Sequence, residues 1–78
     1  MNNNLNERIA NILKDVFPNS EPPLNIENLK IGDLPDWDSL GNFNLLLAIE
    51  EEFTIRFGID DFAELKSIEQ IKKSIDTE

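Results

Sequence analysis

The chain has 78 residues, a formal net charge of −9, and neither cysteine nor histidine. A single core of this length is only marginally stable without staples, and the missing residue types exclude disulfides, structural zinc, thiol nucleophiles and the usual proton shuttle near neutral pH. The acidic balance speaks against nucleic acid and anionic membranes as partners, because either would have to overcome repulsion from phosphate.

The first helix is predicted to begin at Asn4, with Glu7 as its capping-box partner. Its apolar positions Leu5, Ile9, Ile12, Leu13, Val16 and Phe17 recur at three to four residues, and Pro18 stops it. Asn2 to Asn4 read as a frayed end. From Pro18 to Asp38 runs a long proline-containing loop that a small domain tolerates only if it is held down. Leu24, Ile26, Leu29, Ile31 and Leu34 are its expected anchors.

The second helix is predicted from Ser39 to Phe53, with Asp38 as N-cap and Phe43, Leu46, Leu47, Glu50 and Phe53 marking the helical spacing. Phe43, Leu46, Ile49 and Phe53 are its expected core residues. The run FTIRFGI has a weak strand character. A short third helix is predicted over Asp60 to Leu65, and a fourth opens at Ser67, with Gln70 completing a capping box and Ile68, Ile71 and Ile75 facing inward. The expected fold is all-α: a small four-helix bundle, one domain over residues 1–78, with a long loop between helices one and two. The longest uninterrupted apolar run, Leu45 to Ile49, is far short of a membrane span, and MNNNLNE lacks the regions of a signal peptide. The expectation is a cytoplasmic monomer that spans no membrane.

The charge is unevenly placed. Residues 33 to 64 hold nine acids against Arg56 alone, which suggests a docking face for basic partners, with a solvated acidic face as the plainer alternative. Within that segment Ser39 falls in the first turn of helix two, at the positive end of the helix dipole, where a phosphate ester is electrostatically favoured. Its hydroxyl is not activated: there is no histidine, the nearest lysine in sequence is Lys30, and carboxylates such as Asp38 are weak bases toward an alcohol. The serine therefore reads as a substrate for another enzyme. No catalytic residue and no metal site is expected, since base, metal cluster and phosphate-cradling glycine loop are all lacking.

Asp38-Ser39-Leu40, opening a helix that continues into Ala48-Ile49-Glu50-Glu51-Glu52-Phe53, resembles the attachment motif and recognition helix of acyl carrier proteins. The resemblance covers nearly the whole chain: helix, long loop, acidic helix, short helix and final helix follow in the family's order. It implies that Ser39 receives 4′-phosphopantetheine from coenzyme A through a phosphopantetheinyl transferase, and that the arm's thiol holds acyl groups as thioesters. It also implies a partner-reading surface on helix two, with Leu40 and Leu47 as exposed apolar contacts, Glu50 and Glu51 as acidic ones, and Asp36 and Asp38 flanking the attachment point. The implied partners are an acyl- or aminoacyl-activating ligase and acyltransferase or ketosynthase-type enzymes. Plainer roles stay open: Leu47 in the core, Glu51 as a solvated helix residue, Trp37 as a loop anchor.

Gly41 and Asn44 stand where many fatty-acid carriers have acidic residues, which implies a different set of partners. Together with Trp37, Gly41 resembles free-standing carriers of dedicated pathways, such as secondary-metabolite synthesis. Two alternatives remain at this level: an aminoacyl or peptidyl carrier of the same fold, and an acidic adaptor that binds a basic partner through helix two and carries nothing.

Overall fold

Four helices account for the regular structure of the computed structural model, which describes residues 2–21 and 25–76, the side chains of 2–4 excepted. They are α1 (Asn2–Val16), α2 (Ser39–Phe53), α3 (Ile59–Glu64) and α4 (Ile68–Asp76). The all-α bundle read from the sequence is the fold, and no helix is long and apolar enough to cross a membrane. Among the described residues FTIRFGI forms no strand; the sole sheet-like feature is an isolated antiparallel bridge, Lys30 to Ser67.

α1 begins two residues earlier than predicted, so Asn4 lies inside its first turn. Helix ends depend on small local energies that residue type does not specify. The predicted cap at Asn4 rests on a side chain outside the described residues. At the other end the Phe17 N–H still bonds the Leu13 carbonyl at 2.8 Å before Pro18 breaks the ladder. α4 is capped as expected: Ser67 Oγ accepts from the Gln70 N–H at 3.2 Å, while Gln70 Oε1 reaches back to the Lys66 N–H at 3.0 Å. α3 is displaced by one residue from its predicted span, with the Gly58 N–H donating to the Asp61 carboxylate at 2.9 Å.

The core is assembled from Ile9, Ile12, Leu13 and Phe17 of the α1 segment, Leu45, Leu46 and Ile49 of α2, and Ile68 and Ile71 of α4. The long loop closes it. Ile26, Leu34 and Trp37 are buried, and Leu29 and Ile31 pack at the edge; Leu24 lies outside the described residues. Two backbone bonds fasten the loop to the α3–α4 link, Ile31 N–H to Lys66 O at 2.8 Å and Ile68 N–H to Leu29 O at 3.0 Å. α1 is fixed to the far end of α2 by Arg8. Its Nε pairs with Glu52 at 3.0 Å, its Nη2 donates to the Glu52 carbonyl at 3.0 Å, and its guanidinium lies 4.1 Å from the Phe53 ring centroid. Near the other edge Lys72 donates to Glu27 at 3.1 Å; this hydrogen bond and the accompanying charge attraction hold the Glu27 carboxyl below its usual range.

The buried face of α2 keeps the expected Leu46 and Ile49, has Phe53 partly buried, and takes Asn42 and Leu45 in place of Phe43. Asn42, Leu45, Leu46 and Ile49 point inward, at the spacing of a helical stripe, whereas Phe43 is 46% exposed. Phe43 is therefore not core: it sits at the rim against Phe62 of α3, with ring centroids 5.0 Å apart. The inward position went instead to an amide that the neighbouring loop requires.

Candidate functional site

Ser39 is the first helical residue of α2, and Asp38 performs the capping. The Asp38 backbone is extended (φ −107°), its Oδ1 accepts from the Gly41 N–H at 2.8 Å, and its carbonyl accepts the Asn42 N–H at 2.7 Å. With those two donors satisfied, the N–H groups of Ser39 and Leu40 are left without a partner inside the helix. Ser39 is exposed, and its side chain makes no hydrogen bond to the described residues. An alcohol is thus presented to solvent beside unpaired backbone donors and the positive end of a helix of 15 residues.

Among the described residues no base or cation is hydrogen-bonded to it. The Asp38 carboxylate is engaged by the Gly41 N–H, and Lys30 is turned to Asp33, with its Nζ 3.6 Å from that carboxylate. The arrangement at the start of α2 is electrostatically favourable to an anionic group.

The loop before the cap is positioned by Trp37. Its indole is 1% exposed, lies 6.2 Å from the Phe17 ring, and donates through Nε1 to Asn42 Oδ1 at 2.9 Å. Asn42 in turn donates through Nδ2 to the Leu65 carbonyl at 2.8 Å, so one buried amide ties together the loop, α2 and the end of α3. This residue escaped the sequence reading. The available signal was a polar residue in an otherwise apolar stripe (42, 45, 46, 49), close to a tryptophan whose N–H needs an acceptor once buried.

Gly41 has a packing role that its type did not reveal. A Cβ there would overlap the Asp36 carbonyl oxygen and approach Phe17 Cε1 to 2.9 Å. Only glycine lets the loop run this close to the first turn of α2.

Of the six residues expected to read partners, Leu40 is 70% and Leu47 42% exposed, and Asp38 and Glu51 are also exposed. Asp36 is half-buried. Glu50 is engaged within the fold: its carboxylate accepts from the Phe57 N–H at 2.6 Å, and its carbonyl receives the Ile55 N–H at 3.1 Å. Exposed apolar surface continues beyond the expected set to Phe43 and to Ile59, which is 90% exposed. Compared with known protein families, curated proteins and solved structures, the chain finds no match in any of the three.

Proposed function

We propose that this chain is a cytoplasmic carrier protein without catalysis of its own, loaded at Ser39 with 4′-phosphopantetheine. The observation that carries the reading is the division of labour at the start of α2: Asp38 caps the helix, and Ser39 is left exposed at its positive end. In the loading step the Ser39 oxygen forms a bond to phosphorus as the pyrophosphate link of coenzyme A breaks. The serine proton passes to a base of the phosphopantetheinyl transferase, and 3′,5′-ADP leaves. The arm then ends in a thiol that accepts acyl or aminoacyl groups as thioesters. Because the chain has no cysteine, no protein thiol competes for the cargo in cis.

Partners would approach α2 through its exposed apolar and acidic residues. Electrostatic attraction there steers encounter and orientation more than it strengthens binding, which suits a protein that must leave each enzyme quickly. Activating ligases and acyltransferase or ketosynthase-type enzymes would choose the cargo.

A second reading, an adaptor that binds a basic protein and carries nothing, is favoured by the exposed Leu40, Phe43 and Ile59. One experiment separates the two. The protein is incubated with coenzyme A and a broad-specificity phosphopantetheinyl transferase, then weighed intact. A gain of one phosphopantetheine that disappears in Ser39→Ala supports the carrier; no gain, or a gain retained in Ser39→Ala, rejects it.

A further inference from the structure

Arg56 is the one base among the nine acids of residues 33–64, and it has no ion pair or hydrogen bond among the described residues. Its position is nevertheless well defined. After α2 the chain turns sharply at Thr54 (φ 56°), whose N–H returns to the Glu50 carbonyl. The Ile55 and Phe57 N–H groups also end on Glu50, and the Phe57 side chain is buried. Glu50 therefore fastens a hook, residues 54–57, against the last turns of α2.

Between hook and helix lies an open groove lined by Leu47, Glu50, Glu51, Thr54, Ile55 and Arg56. Leu47 and Ile55 supply an apolar floor. The charged groups at the groove are one cation, Arg56, and two anions, Glu51 and Glu50, of which Glu50 already gives one oxygen to the Phe57 N–H.

We infer that this groove receives a partner segment of mixed charge: an apolar side chain over Leu47 and Ile55, a cation toward Glu51 and a carboxylate toward Arg56. A uniformly basic segment would bring a like charge against Arg56, and such a juxtaposition suppresses wrong partners. The guanidinium favours a carboxylate, which it can engage through two parallel hydrogen bonds. The inference rests on α2 being the partner-facing helix and not on the loading of Ser39, so it is tested on the unloaded chain.

Two short helical peptides sharing a leucine face and a lysine, and differing only in Glu or Lys at the opposite end, are titrated into the isotope-labelled full chain at moderate salt. Backbone amide shifts report the site and the affinity. Arg56→Glu is compared with Lys66→Glu, which makes the same change in net charge at an exposed residue outside the groove. The Glu peptide is expected to shift Leu47, Glu51, Ile55 and Arg56, and the Glu-over-Lys preference is expected to fall about two- to fivefold in Arg56→Glu but not in Lys66→Glu. An equal fall in both variants, shifts confined to other residues, or no binding of either peptide overturns the inference. So do groove amides that shift with protein concentration alone, which would assign the surface to a second copy of the chain.

Discussion

Replacing Gly41 with alanine tests whether the start of α2 is built around a close backbone approach, because the two possible answers differ in sign. In an open helix Gly→Ala stabilises by up to about 1 kcal/mol. Here the new methyl would overlap the Asp36 carbonyl oxygen and lie 2.9 Å from Phe17 Cε1. Neither neighbour can yield easily. The Asp36 carbonyl belongs to a loop held by Trp37 N–H to Leu34 O at 3.0 Å and Gly32 N–H to Trp37 O at 2.8 Å, and Phe17 is buried against Trp37. Overpacking of this kind costs about 1–3 kcal/mol. Against the propensity gain, which is smaller in a first turn, the expected net effect is a loss of about 1–2 kcal/mol. For a domain of this size that lowers the thermal midpoint by roughly 5–10 °C. Urea unfolding followed by circular dichroism, with Trp37 fluorescence as a second probe, gives the free energy directly. A variant as stable as the wild type, or more so, refutes the close-approach reasoning and returns Gly41 to a role in partner choice alone.

Asn42→Ala leaves the Trp37 indole N–H and the Leu65 carbonyl without their partner. At about 1–3 kcal/mol for each unsatisfied buried group, a loss of about 2–4 kcal/mol is expected by urea unfolding, and one below about 1 kcal/mol contradicts the amide bridge. Raising salt from low to moderate should raise the thermal midpoint, since it screens nine acids crowded into residues 33–64, while the exposed pairs Arg8–Glu52 and Glu69–Lys73 lose little; a flat or falling midpoint would show that those acids do not repel. Glu27 should titrate below the usual carboxylate range in an NMR pH series and return toward it in Lys72→Met, and an unchanged titration excludes Lys72 as the cause. Because the folded carboxyl is the more acidic one, its contribution to stability is present above the unfolded value and fades as pH falls through the folded value; the acid limb of the stability profile should therefore be shallower in Lys72→Met.

Local signals with a single strong interpretation were legible in the sequence. Asp38 caps α2, Ser67 and Gln70 cap α4, Pro18 ends the α1 segment, and α2 spans the predicted Ser39–Phe53. The α2 face was harder, because apolar residues occur on two sides of that helix and the phase of the stripe is ambiguous from spacing alone. Leu46 and Ile49 fitted both phases; Phe43 fitted the expected one, and Asn42 and Leu45 the one adopted. What decided between them was the indole N–H of Trp37, a tertiary demand that a periodicity argument does not contain. Gly41 and Glu50 have roles in the fold that stayed hidden for a related reason. Each is explained by a backbone atom elsewhere, the Asp36 carbonyl for Gly41 and the Phe57 N–H for Glu50, and backbone atoms leave no trace in residue type.

The separation of the cap, Asp38, from the exposed hydroxyl of Ser39 has a consequence for protein abundance. Ser39 is exposed and its side chain bonds to nothing described, so its replacement by alanine should change stability by no more than about 0.5 kcal/mol. A cell carrying that change would hold as much folded protein as before, since abundance follows the folded fraction. Loss of Asp38, by contrast, removes a helix cap worth about 1 kcal/mol and lowers abundance. Selection acting on the fold alone is therefore blind to Ser39.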